Sequence, residues 1–194
     1  MLNKISLIVL VGMSANALAG EWQLKVGASA ISPTQDTTVA ALGGAKVEAD
    51  DEFAFTPSVE YFFNDQISAE LLLATPVRHD VLINGADAVT IKHLPPTLTA
   101  KYHFKNTSGF TPYVGLGATA FIAWDEQGVQ SVKEDFGYAA QLGFNFQPAD
   151  AKNWGVFADV RYADLNPEVT VDGTTKFKLD IDPVIYSIGY SYKF

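Results

Sequence analysis

Apolar and polar residues alternate with a period of two, segment after segment, from Trp22 to the end of the chain. A strand shows successive side chains to opposite faces, so each such segment has one oily and one polar face. The pattern predicts a first strand over Trp22 to Ile31, with Trp22, Leu24, Val26, Ala28 and Ala30 on one parity. A second runs from Glu52 to Phe63, with Phe53, Phe55, Val59, Tyr61 and Phe63 together, and after the turn Asn64-Asp65 a third covers Gln66 to Thr75, with Ile67, Ala69, Leu71 and Leu73 together. The fourth, Leu94 to Phe104, aligns Leu94, Leu98, Ala100, Tyr102 and Phe104; the fifth, Pro112 to Ile122, is Gly-rich and ambiguous in its facing. The sixth, Phe136 to Phe146, aligns Phe136, Tyr138, Ala140, Leu142, Phe144 and Phe146; the seventh, Trp154 to Ala163, aligns Trp154, Val156, Ala158, Val160 and Tyr162. The eighth starts near Phe177 and closes the chain with Val184, Tyr186, Ile188, Tyr190, Tyr192 and Phe194 on one face, against Ser187, Gly189, Ser191 and Lys193 on the other.

Strands of about ten residues are long enough to cross a bilayer at a tilt. The connections alternate: 64–65, 105–110 and 147–153 are short, whereas 32–51, 76–93, 123–135 and 164–176 are longer. Short turns on one side and long loops on the other are the pattern of outer-membrane barrels. The expected fold is therefore all-β, an eight-stranded antiparallel transmembrane β-barrel with short periplasmic turns, long extracellular loops and both termini on the periplasmic side. Tyr61, Phe63, Tyr102, Phe104, Phe144, Phe146 and Trp154 fall near strand ends, where an interfacial aromatic girdle belongs.

The N-terminus fits that compartment. Lys4, the apolar run Ile5 to Met13 and the small-x-small site Ala17-Leu18-Ala19 read as a cleaved signal peptide over 1–19, leaving 20–194 as one barrel domain. The apolar run is too short for a membrane-spanning helix. The formal charge is −9, or −10 once Lys4 is removed, and cysteine is absent. Thiolate chemistry and disulfides are excluded, and without a basic stripe no nucleic-acid partner is expected. A soluble lipocalin-like barrel, with the apolar parity turned inward around a ligand, is the rival architecture. Against it, the opposite parity is rich in Gly, Ala, Ser and Thr, a weak solvating coat, and carries charges of both signs, as a packed polar lumen would.

The blocks Glu70-Leu71-Leu72-Leu73-Ala74-Thr75-Pro76-Val77-Arg78-His79, His93-Leu94-Pro95-Pro96-Thr97-Leu98-Thr99-Ala100-Lys101-Tyr102-His103-Phe104, Pro112-Tyr113-Val114-Gly115-Leu116-Gly117, Val160-Arg161-Tyr162-Ala163-Asp164 and Ile181-Asp182-Pro183 through Phe194 occur in this order. Together they resemble the OmpW/AlkL family of small outer-membrane barrels. The resemblance implies a monomeric eight-stranded barrel that helps small hydrophobic solutes across the outer membrane, with outer-membrane lipids as its surroundings and no cofactor. It also suggests that Leu72 and Arg161, both inward at mid-height, narrow the lumen. Some relatives carry a bulky aromatic where Arg161 stands, so the constriction here is not purely apolar, and Arg161 is expected to pair with Asp159 or Glu70. The closing strand, with Tyr186, Tyr190, Tyr192 and Phe194, is the segment expected to meet the barrel-assembly machinery.

The inward parity carries Lys25, Glu52, Glu60, Glu70, Lys101, His103, Asp159, Arg161 and Lys193. Buried charges persist when paired, so Lys25, Glu60, Glu70, Lys101, His103, Asp159 and Lys193 are expected to form an ion-pair network, mostly in the periplasmic half. A polar gate or proton-linked switch is the functional alternative. Above it, Leu72, Ala74, Pro95, Thr97, Ser29 and Ile31 predict an apolar cup open to the outside. An eight-stranded barrel has no room for a wide pore, and crossing a floor of ion pairs costs several kcal/mol each. The easier exit is sideways. Pro57, Pro76, Pro95, Pro96 and Pro112 lie in or beside strands two to five, where each removes a ladder donor, and the adjacent Pro95-Pro96 predicts a weakened seam near strands three and four.

Catalysis finds little support. His79 and His93 lie in one long loop near Arg78, Asp80 and Lys92, at a spacing that fits no standard metal motif. No serine is singled out as a nucleophile, and there is no phosphate loop. An uptake channel is the first reading; a surface-interaction barrel that meets a phage, toxin or host surface is the second; an outer-membrane lipid enzyme is a distant third.

Overall fold

The computed structural model describes residues 20–40, 43–75, 77–83, 86–127, 130–171 and 175–194. The predicted signal segment and Pro76 lie outside them. The strands are β1 (Glu21–Ser32), β2 (Thr37–Val39), β3 (Ala45–Ala49), β4 (Glu52–Phe55), β5 (Ser58–Phe62), β6 (Ile67–Leu72), β7 (Val77–Ile83), β8 (Ala86–Leu94), β9 (Thr97–His103), β10 (Phe110–Gln127), β11 (Ser131–Val132), β12 (Asp135–Phe146), β13 (Trp154–Ala163), β14 (Glu168–Thr170), β15 (Lys176–Lys178) and β16 (Val184–Lys193). They assemble into eight staves: β1, β4 with β5, β6 with β7, β8 with β9, β10, β12, β13 and β16. Every neighbouring pair is antiparallel, and β1 closes on β16 from Gln23↔Lys193 to Ser32↔Val184. Closure of β1 on β16 joins the eight staves into a ring, as a bilayer requires.

Alternation fixes which way each stave faces. Leu98 is 56% exposed, whereas Thr97 and Thr99 on either side are 2% and 0% exposed. Leu116, Leu142 and Ile188 are likewise open on the outer wall, and the charged parity is sealed inside. This is the reverse of a lipocalin, and it presents the apolar parity to acyl chains. The ambiguous fifth stave resolves with Tyr113, Gly115 and Thr119 inward and Val114 and Leu116 outward. At the short-turn end aromatic pairs brace the rim: Trp22 with Tyr61 at 4.8 Å, Tyr61 with Phe63 at 5.1 Å, and Tyr192 with Phe194 at 5.0 Å between ring centroids.

The long connections are more regular than the sequence suggested. The stretch 32–51 contains the β2–β3 hairpin, turned by Gly43 and Gly44 at φ +70° and +83°, a conformation glycine adopts without steric cost. β7 and β8 pair with each other as upward extensions of staves three and four. The eighth stave begins at Val184, not near Phe177, because Lys176–Lys178 pairs with β14 in a small sheet, β11-β14-β15, above the barrel. These extensions bring Val39, Val47, Phe121, Val132, Ala163, Leu165, Val169, Leu179 and Ile181 into one buried apolar cluster. The extracellular half is therefore packed in this structure, and the predicted open cup is roofed.

Candidate functional site

The lumen is layered. In its periplasmic half, register puts Glu60 directly opposite Glu70 across β5 and β6. Two like charges so placed repel, and two lysines from flanking staves answer them. Lys25 Nζ on β1 lies 2.7 Å from Glu60 Oε2 and 3.7 Å from Glu70 Oε2. Lys101 Nζ on β9 donates to Glu60 Oε2 at 3.1 Å and Glu70 Oε2 at 2.8 Å. Ser58 donates to Glu70 Oε1 at 2.6 Å and Ser68 to Glu60 Oε1 at 2.5 Å, completing the carboxylates' shells. His103 Nε2 stands 3.0 Å from Glu60 Oε1 and 2.9 Å from Ser68 Oγ. All five charged or imidazole side chains are buried.

Of the residues expected in this network, Lys193 sits elsewhere and Asp159 joins without an ion pair. Lys193 pairs with Glu21 at the periplasmic mouth, with Nζ over the Phe62 ring at 4.5 Å, and its side chain is 29% exposed. A lysine at a strand end can direct its ammonium to water. Asp159 is buried and inward but joins through hydrogen bonds, accepting from Tyr113 Oη and Gln141 Nε2, both at 2.9 Å. Arg161 Nη2 lies 3.9 Å from Glu70 Oε2, so Glu70 is the carboxylate it approaches. Leu72 is inward and buried beside Thr97 and Ser58 in the ladder.

Tyr113, Ser58, Ser68 and Gln141 were not singled out from sequence. Tyr113 is the centre of the network: fully buried, its ring lies 3.7 Å from Lys101 Nζ and 5.1 Å from Lys25 Nζ. Its signal was the Tyr113-x-Gly115-x-Gly117 parity, one aromatic on a face otherwise of glycines, where an inward ring finds room. Below the floor a cavity of about 180 Å³ opens at the mouth, lined by Gln23, His103, Lys105, Asn145, Trp154 and Lys193 among others. Among the described residues no cluster of three or more His, Asp or Glu is placed to hold a metal ion. His79 and His93 lie on β7 and β8.

The wall is interrupted beside this floor. The β6–β9 ladder runs from Ile67↔Tyr102 to Leu72↔Thr97, and pairing between staves three and four resumes at Val77↔His93. Between them, no register pairs residues 73–75 with 94–96, and the register shifts by one across the junction. The His103 amide donates to Gln66 O at 2.7 Å. Antiparallel hydrogen-bonded pairs recur at every second residue, so the next such position above Leu72 and Thr97 pairs Ala74 with Pro95. Pro95 has no N–H to give stave three. On the other side, Ala120 N donates to Pro96 O at 3.0 Å, and Pro96 cannot return a bond to β10. Each proline thus removes a donor from a different neighbour.

The OmpW family profile matches residues 18–194. Outer membrane protein W of Escherichia coli (strain K12) is 31% identical over 199 residues, covering 91% of this chain and 89% of that one. Outer membrane protein AlkL of Ectopseudomonas oleovorans is 27% identical, covering 79% and 71%. The crystal structure of the outer membrane protein OprG from Pseudomonas aeruginosa superposes with a TM-score of 0.79 at 29% identity, over 91% of this chain and 97% of that one. With the closed barrel, its apolar outer wall and its charged lumen, these likenesses place the chain in the OmpW family, as an outer-membrane β-barrel protein of Gram-negative bacteria.

Proposed function

We propose that this barrel is a passive uptake channel for small hydrophobic molecules, which enter the apolar extracellular half and leave sideways into the membrane. The observation that carries the reading is the break in pairing between staves three and four, where 73–75 and 94–96 share no register, just above the ionic floor. An apolar solute gains about 25 cal/mol per Å² of surface taken out of water, and the packed cluster around Phe121, Leu165 and Ile181 offers that environment once its hairpins part to admit the solute. Passing straight down would mean separating Lys25, Glu60, Glu70 and Lys101, at several kcal/mol for each charge stripped of its partner. The gap in the ladder opens toward acyl chains without that cost. Leu72 and Arg161 bound the route from below, as the narrow level of the lumen.

Uptake of a labelled medium-chain alkane by cells lacking the protein, and by the same cells complemented with it, tests the reading. Faster uptake on complementation is expected. Unchanged uptake with altered adhesion or phage sensitivity would replace the channel with the surface-interaction barrel.

A further inference from the structure

We infer that the lumen holds a hydrogen-bonding site, centred on Arg161, for the uncharged oxygenated head of an amphiphile such as a medium-chain alcohol, whose tail lies in the apolar cluster above. The inference rests on the uptake reading and names its substrate class. Arg161 is 1% exposed, yet among the described residues its Nε and Nη1 have no hydrogen-bond partner. Its Nη2 lies 3.9 Å from Glu70 Oε2, too long for a hydrogen bond. Three acceptors around it are also left over: Gln141 Oε1, Asp159 Oδ1 and Thr99 Oγ1. Buried polar atoms without partners are few in folded proteins, and these gather at one level.

Their convergence follows from the ladders. Gln141 is the register partner of Arg161, and Thr99 that of Glu70. Gln141 Nε2 lies 2.9 Å from Asp159 Oδ2 and 3.5 Å from Glu70 Oε2. Across the lumen wall, a Cβ at Gly115 would stand 3.2 Å from Thr99 Cγ2 and 3.3 Å from Gln141 Oε1, so the missing side chain lets both groups meet over one spot. The site offers donors and acceptors together, which suits a hydroxyl, able to give one bond and receive two. Glu60, Glu70 and Asp159 already balance Lys25, Lys101 and Arg161 in formal charge. A neutral head keeps that balance; a carboxylate would add an unpaired charge. The next inward residues above Arg161 are Ala163 and Leu165, the lower edge of the apolar cluster, so a tail continues from the head without a polar step.

The sequence has two arginines, Arg78 and Arg161. With the mature protein in lipid nanodiscs, the two Nε–H resonances are separable, and Arg161→Lys identifies the lumenal one. Titration with 1-decanol is expected to shift that resonance, and decane at equal membrane concentration is expected not to. In cells, Arg161→Leu should lower the ratio of decanol to decane uptake about tenfold, the equivalent of one charge-assisted hydrogen bond. If the arginine variants do not fold, Thr99→Val removes one acceptor and is expected to weaken the decanol response. Protein-dependent decane uptake with no decanol-induced shift overturns the head-group site alone. Absence of protein-dependent uptake of both compounds overturns the channel reading, and the site with it.

Discussion

Glu60 and Glu70 are register partners across β5 and β6, both all but sealed from solvent, and Lys101 Nζ hydrogen-bonds to each. Removing that ammonium leaves facing carboxylates with Lys25 as their nearest remaining cation. Lys101→Met is therefore expected to destabilise the barrel by about 3–5 kcal/mol. Adding Glu70→Gln should recover part of the loss, because one of the two repelling charges is gone. Urea unfolding in lipid vesicles, followed by the heat-modifiable gel shift, measures both; a double variant no more stable than the single one would show that the carboxylate pair is not the source.

The closing seam sets a second expectation. A Cβ on Gly189 would stand 2.1 Å from Val26 O and 2.9 Å from Phe157 Cε1. The nearer atom is backbone, held by the β1–β16 ladder at Val26↔Tyr190 and Gly27↔Gly189. Gly189→Ala should cost about 1–3 kcal/mol, and trimming the ring with Phe157→Leu should not restore stability. Full rescue by that trimming would place the crowding in the side chain instead.

Strand pairing was legible wherever a bulky apolar residue marked every second position. Leu94, Leu98, Tyr102 and Phe104, or Tyr186, Ile188, Tyr190 and Tyr192, leave no choice of face, because a shift of one would put charges into lipid. The fifth stave lacked that contrast: Gly115, Gly117, Ala118 and Ala120 carry little hydrophobic signal on either parity, so the inward Tyr113 was hidden. The extracellular extensions were read as loops because their apolar residues, such as Val39, Val47 and Val169, come in short runs that bury only when several hairpins stack. Lys193 has the parity of a lumen residue, but its place at the strand end lets it reach Glu21. Register alone carries no information about such a choice.

Asp182 is a strained corner of the extracellular side. It adopts φ +39°, its Oδ1 accepts from Leu165 N at 3.0 Å, and its carbonyl accepts from Thr34 Oγ1 at 2.6 Å. Burial raises its carboxyl above the ordinary range against the lowering effect of the Leu165 amide, and Asp164 adds to the rise. An acid whose folded pKa is raised loses stability as pH climbs from its unfolded value through the folded one. Asp182→Asn keeps the acceptor and suits the left-handed conformation without a charge. It should be more stable than the parent by about 0.5 kcal/mol at neutral pH, with the gap closing as pH falls below the ordinary aspartate value. Asp182→Ala loses the acceptor and the tolerance of positive φ, and should cost about 1–2 kcal/mol. Unfolding midpoints across pH separate the three.

The absence of cysteine makes the wall itself testable. Ala74 and Pro95 occupy the position at which the next hydrogen-bonded pair between staves three and four would fall and the ladder fails, and both are buried. Were the ladder continued to this position, the two Cα atoms would stand about 5.5 Å apart, within the span of a disulfide. Ala74→Cys with Pro95→Cys should therefore cross-link on oxidation and staple the wall. Oxidised cells are expected to take up alkane at the rate of cells without the protein. Reductant should return uptake to the rate of the single Pro95→Cys variant, which already gives stave three its missing donor. Pro95→Ala with Pro96→Ala acts by a different route, returning a donor to each neighbour so that the ladder can form; it should slow uptake while leaving the heat-modifiable shift intact. If the cross-link forms and uptake continues at the parental rate, solute does not leave through this part of the wall. The ionic floor then becomes the route to examine, because Lys101→Met would open it while the staple remains closed.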